Sequence, residues 1–288
     1  MVEIPEHLRG HLTDSAGQPW AGRNFTENPW QDDRGEAPPE LLAALRAFRA
    51  GEAPGSAVVD TLRDSRLLIP LVAELGEAGV NEQGQTVDKS ADLSIVTVAA
   101  PDGRGVVPVF SSVAAMKAWD ADARPVPVDA RRAALAAVEA GSDVLIIDAA
   151  NPDTEFVVRR PAVWAIAQGH EYVEPWVDPQ VLQRIQPLLE IDPVVTSINV
   201  LPGDAQARFA GPEVQLVVEL TETDREHRQA VLHEIQQRIG ADTELVQRID
   251  SLRIAAAQVA PSEGIGKNPT SEAAQPTRRF GFWRRKRR

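Results

Sequence analysis

Apolar residues recur along residues 38–64 with the spacing of a helix face. Leu41, Leu42, Leu45 and Phe48 fall at i, i+1, i+4 and i+7, which predicts an amphipathic helix. Gly51 and Pro54-Gly55 break the pattern before a second short helix through Val58, Val59 and Leu62. Strand-type runs follow. Leu67–Val72 is interrupted by Pro70, which points to a sheet edge or a bulge. Leu93–Val98 and Val106–Phe110 flank Pro101-Asp102-Gly103 and predict a hairpin. Ser111-Ser112 then stands where a helix cap belongs, ahead of Val113, Met116 and Trp119. Pro125–Val128 reads as an edge strand and Asp129 as the cap of an Ala-rich helix over Ala130–Ala140 that stops at Gly141. The uninterrupted apolar run Val144–Ile147 predicts a buried strand. Phe156–Val158 predicts another, and Pro161 opens a helix carrying Val163, Trp164 and Ile166.

A second unit follows the connector at 169–177. Val181, Leu182, Ile185, Leu188 and Leu189 mark a helix. Val194, Thr196, Ile198 and Val200 alternate as in a strand, and so do Val214, Leu216, Val218 and Leu220. Thr223 or Asp224 caps a helix bearing Val231, Leu232, Ile235 and Ile239 and ending at Gly240. A short helix over 242–248 and a strand over Leu252–Ala256 complete the unit. The expected class is therefore α+β. Its layout is an irregular arm at 1–37, a mixed-sheet N-terminal domain at 38–170, a smaller α/β C-terminal domain at 178–260, and a flexible linker with a disordered basic tail at 261–288.

Three of these stretches carry a family resemblance. RLLIPLVA at 66–73 is one. LSIVTVAAPDGRGVVPVFSS at 93–112, followed by MKAW, is the second. DVLIIDAANP at 143–152, running into EFVVRRPAVWAIAQG, is the third. Together they resemble the SseB family, named for a bacterial enhanced-serine-sensitivity protein, in an actinobacterial-type member. Residues 178–257 resemble the smaller C-terminal unit that accompanies it. The resemblance implies an α+β fold and a bacterial cytoplasmic setting. It implies no catalytic residues, no cofactor and no metal.

Composition narrows the chemistry. Cysteine is absent, which removes disulfides, thiolate catalysis and Cys-ligated metals. Aromatics are 5% of the chain, so the core is built mainly from aliphatic side chains. No apolar run approaches the length of a membrane span. No GxSxG, SxxK, GxxxxGK[ST] or GxGxxG motif occurs. His7 and His11 stand four apart in a Pro- and Gly-interrupted arm, and His227 and His233 six apart on one helix. Neither pair has the ligand set of a metal site. His170 beside Glu171 is expected to be a connector residue, and Ser111-Ser112 a cap. Asp60, Asp64, Asp120 and Asp122 belong to the general acidity of the chain. Asp148 and Asp153 flank a strand end, where sites in α/β proteins gather. With Arg159 and Arg160 they form the one carboxylate–guanidinium group that could line an enzymatic or amino-acid-sensing cleft.

Charge supplies the sharpest asymmetry. The formal net charge is −12. The last eleven residues hold Arg278, Arg279, Arg284, Arg285, Lys286, Arg287 and Arg288, so the preceding 277 carry −19. Phe280, Phe282 and Trp283 lie among these cations. Basic and aromatic residues together suit an anionic membrane surface, an acidic protein partner, or RNA on which rings stack. The expectation is a cytoplasmic, non-enzymatic binding or scaffolding protein whose tail reaches a peripheral membrane site or a partner.

Overall fold

A computed structural model of the chain describes residues 30–72, 79–80, 86–87, 96–221 and 224–259. The arm up to residue 29 and the linker and tail at 261–288 lie outside the described residues. So do Leu93–Ile95 of the expected hairpin and all the tail residues from Arg278 to Arg288.

Helices α1 (Pro39–Ala50) and α2 (Gly55–Arg63) lead into β1 (Arg66–Leu71). Two-residue strands β2 (Gly79–Val80) and β3 (Thr86–Val87) pair with each other. Next come β4 (Val98–Ala99), β5 (Gly105–Val109), α3 (Val113–Trp119), β6 (Arg124–Asp129), α4 (Ala130–Glu139), β7 (Leu145–Ile147), β8 (Phe156–Val158) and α5 (Arg160–Gln168). The sheet order is β4-β5-β7-β8, with β5 and β7 parallel and β7 and β8 antiparallel. β1 pairs antiparallel with β6 along six residues. It joins β5 through a bridge in which Leu68 and Phe110 exchange both backbone hydrogen bonds, at 2.8 and 2.9 Å. Pro70 faces Pro125 across the β1–β6 ladder, so the two residues that lack donors oppose each other.

Strand alternation divides the apolar side chains between two faces. Val107, Val109, Leu145, Ile147, Phe156 and Val158 point into the larger core beneath α1, α2, α4 and α5. Val106, Val144 and Val157 point to the other face. Helix α4 enters the core through Ala130, Ala133, Ala134 and Ala137, small residues that let a helix lie close to the sheet. Its first turn is capped by the Asp129 carboxylate, which accepts from Arg132 N–H at 2.8 Å. Ser112 caps α3 in the same way through Ala115 N–H.

The second core belongs to α6 (Pro179–Ile185), a 3-10 turn (Gln186–Glu190), β9 (Val195–Pro202), β10 (Val214–Leu220), α7 (Arg225–Ala241), α8 (Thr243–Arg248) and β11 (Leu252–Gln258). Strand order is β11-β10-β9, with β10 and β11 parallel and β9 antiparallel to β10. The molecule is thus α+β with mixed sheets. Two expectations shift in detail. The helix through Leu189 gives way to a 3-10 turn after Ile185, at Pro187, whose ring denies the helix an amide donor. Helix α7 runs through Gly240 to Ala241, and Asp242 then caps α8 by accepting from Leu245 N–H. Among the described residues no helix is long and apolar enough to cross a membrane.

Candidate functional site

The two cores meet through a segment without periodicity, residues 203–212 between β9 and β10. It reaches across to the first sheet and lies along β8: Val157 N–H donates to Ala207 O at 2.9 Å. Phe209 is buried among Ala100, Val106, Val144 and Val157. Ala207 and Phe209 both adopt positive φ, at 46° and 60°, a conformation costly for side-chain-bearing residues and sustained only by surrounding contacts. At the base of the loop a Cβ on Gly203 would stand 2.4 Å from Pro212 O, so only glycine fits there.

The loop delivers Asp204 to Arg159, which stands at the junction between β8 and α5. Arg159 Nη2 donates to Asp204 Oδ2 at 2.7 Å and to Gly211 O at 2.7 Å. Its Nη1 donates to Asp250 Oδ2 and Ser251 Oγ, each at 3.3 Å. Arg104, from the β4–β5 turn, holds the same Asp250 in a fork at 2.7 and 2.9 Å. Both guanidinium groups lie over the Phe209 ring, at 5.1 and 4.7 Å from its centre. The side chains of Asp250, Asp204 and Arg159 are 0, 3 and 7% exposed. Burial alone would raise the Asp250 carboxyl. The hydrogen bonds and charge of Arg104, the Ser251 hydroxyl and the charge of Arg159 outweigh it and hold the group below the usual carboxylate range.

Beside this network lies a cavity of about 190 Å³. Phe48, Gly55, Val59, Phe156 and Ala162 wall it from the first core. Tyr172, Glu174 and Trp176 line it from the connector after α5, and Pro202, Asp204, Ala207 and Glu213 from the second unit. Phe48 and Phe156 meet edge to face, with ring centres 5.0 Å apart. Glu174 and Glu213 are each 5% exposed. Glu174 Oε1 accepts from Ser56 N–H at 2.9 Å, capping α2 from a distance. Glu213 precedes β10, next to the start of the parallel strand β11. It accepts from Asp250 N–H and, at 3.2 Å, from the Tyr172 hydroxyl. Burial, reinforced by the neighbouring Asp250 charge, pushes the Glu213 carboxyl up to about 7. Burial also drives the Tyr172 phenol well above its usual range, with Glu213 and Glu174 adding to the shift. Apolar walls with a few converging polar groups at the junction of two layers are the usual makings of a small-molecule site.

Residues 40–165 match the family model of the SseB protein N-terminal domain. No curated protein and no solved structure matches the chain. The SseB match begins in α1 and ends in α5, and does not extend over residues 178–260. It therefore includes the Phe48, Gly55, Phe156, Arg159 and Ala162 side of the cavity. Tyr172, Glu174, Trp176, Asp204 and Glu213 come from sequence beyond it.

The four residues expected to form one cleft fall into three places. Arg159 enters the buried network. Arg160 donates to Val246 O and Ile249 O and stands 3.7 Å from Asp143. Asp148 and Asp153 line a different, shallow groove together with Arg34, Arg46, Ser111 and Asn151. There Ser111 is not a cap. Its N–H and hydroxyl both donate to the buried Asp148 carboxylate, each at 2.7 Å, which ties the end of β5 to the end of β7. Burial raises the Asp148 carboxyl despite these bonds. His227 contacts Asp192 at 2.9 Å, His233 contacts Gln237, and His170 lines an open groove with Glu171 and Trp164. Sequence reasoning passed over Asp204, Glu213 and Asp250 because each is one carboxylate among many. The density of acids and aromatics in EYVEPW at 171–176 was the available signal for the connector's role.

Proposed function

We propose that this is a non-enzymatic binding protein whose ligand is a small organic molecule held between the SseB N-terminal domain and the three-stranded layer. The cavity carries this reading. An apolar cavity of roughly 150 Å³ suffices for benzene, so about 190 Å³ suits a molecule with a body the size of a leucine or phenylalanine side chain. Because both layers supply walls, occupancy bears directly on their contact, as a sensor or a ligand-dependent scaffold requires. Gly55 offers a test. A Cβ there meets only ordinary contacts, the nearest 3.5 Å away at Phe156, so Gly55→Leu projects into the cavity without a backbone clash. A ligand from a small-fragment panel at 100 times its Kd stabilises the protein by about 2.7 kcal/mol. Thermal unfolding should show the corresponding rise in Tm for the wild type and none for Gly55→Leu. Equal shifts in both proteins would reject the cavity as the site.

A second reading rests on the charge asymmetry. The basic tail, with Phe280, Phe282 and Trp283 among its cations, tethers the acidic remainder to an anionic lipid surface. Each basic residue near such a surface contributes about 1 kcal/mol. Removing residues 278–288 should abolish co-sedimentation with phosphatidylserine vesicles, and raised salt should weaken the full chain. Salt-sensitive binding to RNA without binding to vesicles would reassign the tail.

A further inference from the structure

The cavity just described holds an imbalance of charge. Its carboxylates are Glu174, Glu213 and Asp204, and its one guanidinium belongs to Arg159. Asp204 is matched by Arg159 at 2.7 Å. Glu174 is not matched. Its carboxylate takes the Ser56 N–H, and among the described residues no cationic group lies within 4 Å of it. A buried carboxylate is costly unless a counter-charge or several donors reach it. Arg159 cannot turn to serve a ligand, because each of its two terminal nitrogens already has two acceptors. An anion entering the cavity would therefore meet two glutamates and no free donor cation.

The aromatic walls point the same way. Phe48, Phe156, Tyr172 and Trp176 contribute rings to a site with a buried carboxylate. Ring faces attract cations, most strongly once water is excluded. The Arg49 guanidinium already lies over the Phe48 ring, 5.4 Å from its centre, so Phe156, Tyr172 and Trp176 with the acid form the surround for a positive head group on an apolar body. Glu213 contributes further negative potential as it ionises, its carboxyl titrating near neutrality.

We propose that the ligand is an organic ammonium ion with a short branched or aromatic apolar body, its nitrogen held by Glu174 among these rings. This rests on the reading of the cavity as a ligand site, and it excludes amino acids themselves, whose carboxylate would face Glu174 and Glu213.

Four probes of one shape test it by isothermal titration calorimetry on the full chain at neutral pH. They are isoamylamine, isoamyl alcohol, isovalerate and leucine, the last being the same amine with an α-carboxylate. Isoamylamine should bind at least tenfold tighter than isoamyl alcohol and than leucine, with isovalerate weakest. Glu174→Gln keeps an acceptor for Ser56 N–H, and should cost isoamylamine its advantage while leaving the alcohol unchanged. Trp176→Leu should lower amine affinity more than alcohol affinity, which tests the ring contribution should the glutamine variant fold poorly. Alcohol, isovalerate or leucine binding as tightly as the amine would overturn the ammonium assignment and leave the cavity as a site for another ligand. Heat from none of the four would overturn both.

Discussion

Glu213 sits with the Tyr172 hydroxyl, the Asp250 backbone and charge, and the Arg159 guanidinium around it, and burial dominates its ionisation. Its carboxyl moves from 4.5 to about 7, so between these values the folded chain holds a proton that the unfolded chain has released. Stability conferred by the protonated group is complete below pH ~4.5 and is lost as pH rises through about 7, by at most about 3 kcal/mol. Glu213→Gln keeps a neutral acceptor in place. Urea unfolding from pH 5 to 8 should show the wild type losing stability relative to this variant as pH rises, and the gap levelling off above pH ~7. A constant gap would mean that Glu213 is ionised throughout. None of this was legible in the sequence. Glu213 follows Pro212 and precedes an alternating strand, and reads there as one more surface acid. Its neighbours Tyr172 and Asp250 are 41 and 37 residues away, and only the fold brings them together.

Elements with a period were legible. The stripe of Leu41 and Leu45, the Ala face of α4, the Asp129 cap and the alternation in β10 all follow from local rules that tertiary packing reinforces. The loop at 203–212 has no period, and its shape comes from contacts made elsewhere. Arg159 Nη2 and Phe209 N–H both donate to Asp204 Oδ2, and Val157 N–H donates to Ala207 O. Glycine at 203 is required because Pro212 O leaves no room for a Cβ. Gly203→Ala should therefore destabilise the protein by about 1–3 kcal/mol. It should also speed amide exchange at Val157, whose N–H is held by Ala207 O. Unchanged stability and exchange would show that the loop is not clamped at its base. The same logic explains why the Arg159–Asp148 cleft foretold by sequence proximity does not form: β7 and β8 direct the two residues into different concavities.

At the scale of the molecule, two apolar cores are joined by a polar core. Arg104, Arg159 and Arg160 each reach from the first unit to the second. Removing one partner of a buried pair commonly costs about 3–5 kcal/mol, which applies to Arg159 with Asp204 and Asp250; the Arg104 side chain is 35% exposed, and Arg160 reaches only backbone carbonyls of the second unit. The cavity lies in that junction, with walls from both sides. The measurement that tests the account most directly is indole NMR with ¹⁵N-labelled tryptophan, following Trp176 in the cavity wall against Trp119 and Trp164 outside it. Titration with isoamylamine should shift the Trp176 resonance, assigned among the six indole signals through Trp176→Phe, and leave those of Trp119 and Trp164 in place. A Trp176 signal that stays fixed at saturating amine, or shifts equally in Gly55→Leu, would contradict the placement of the ligand between the two layers.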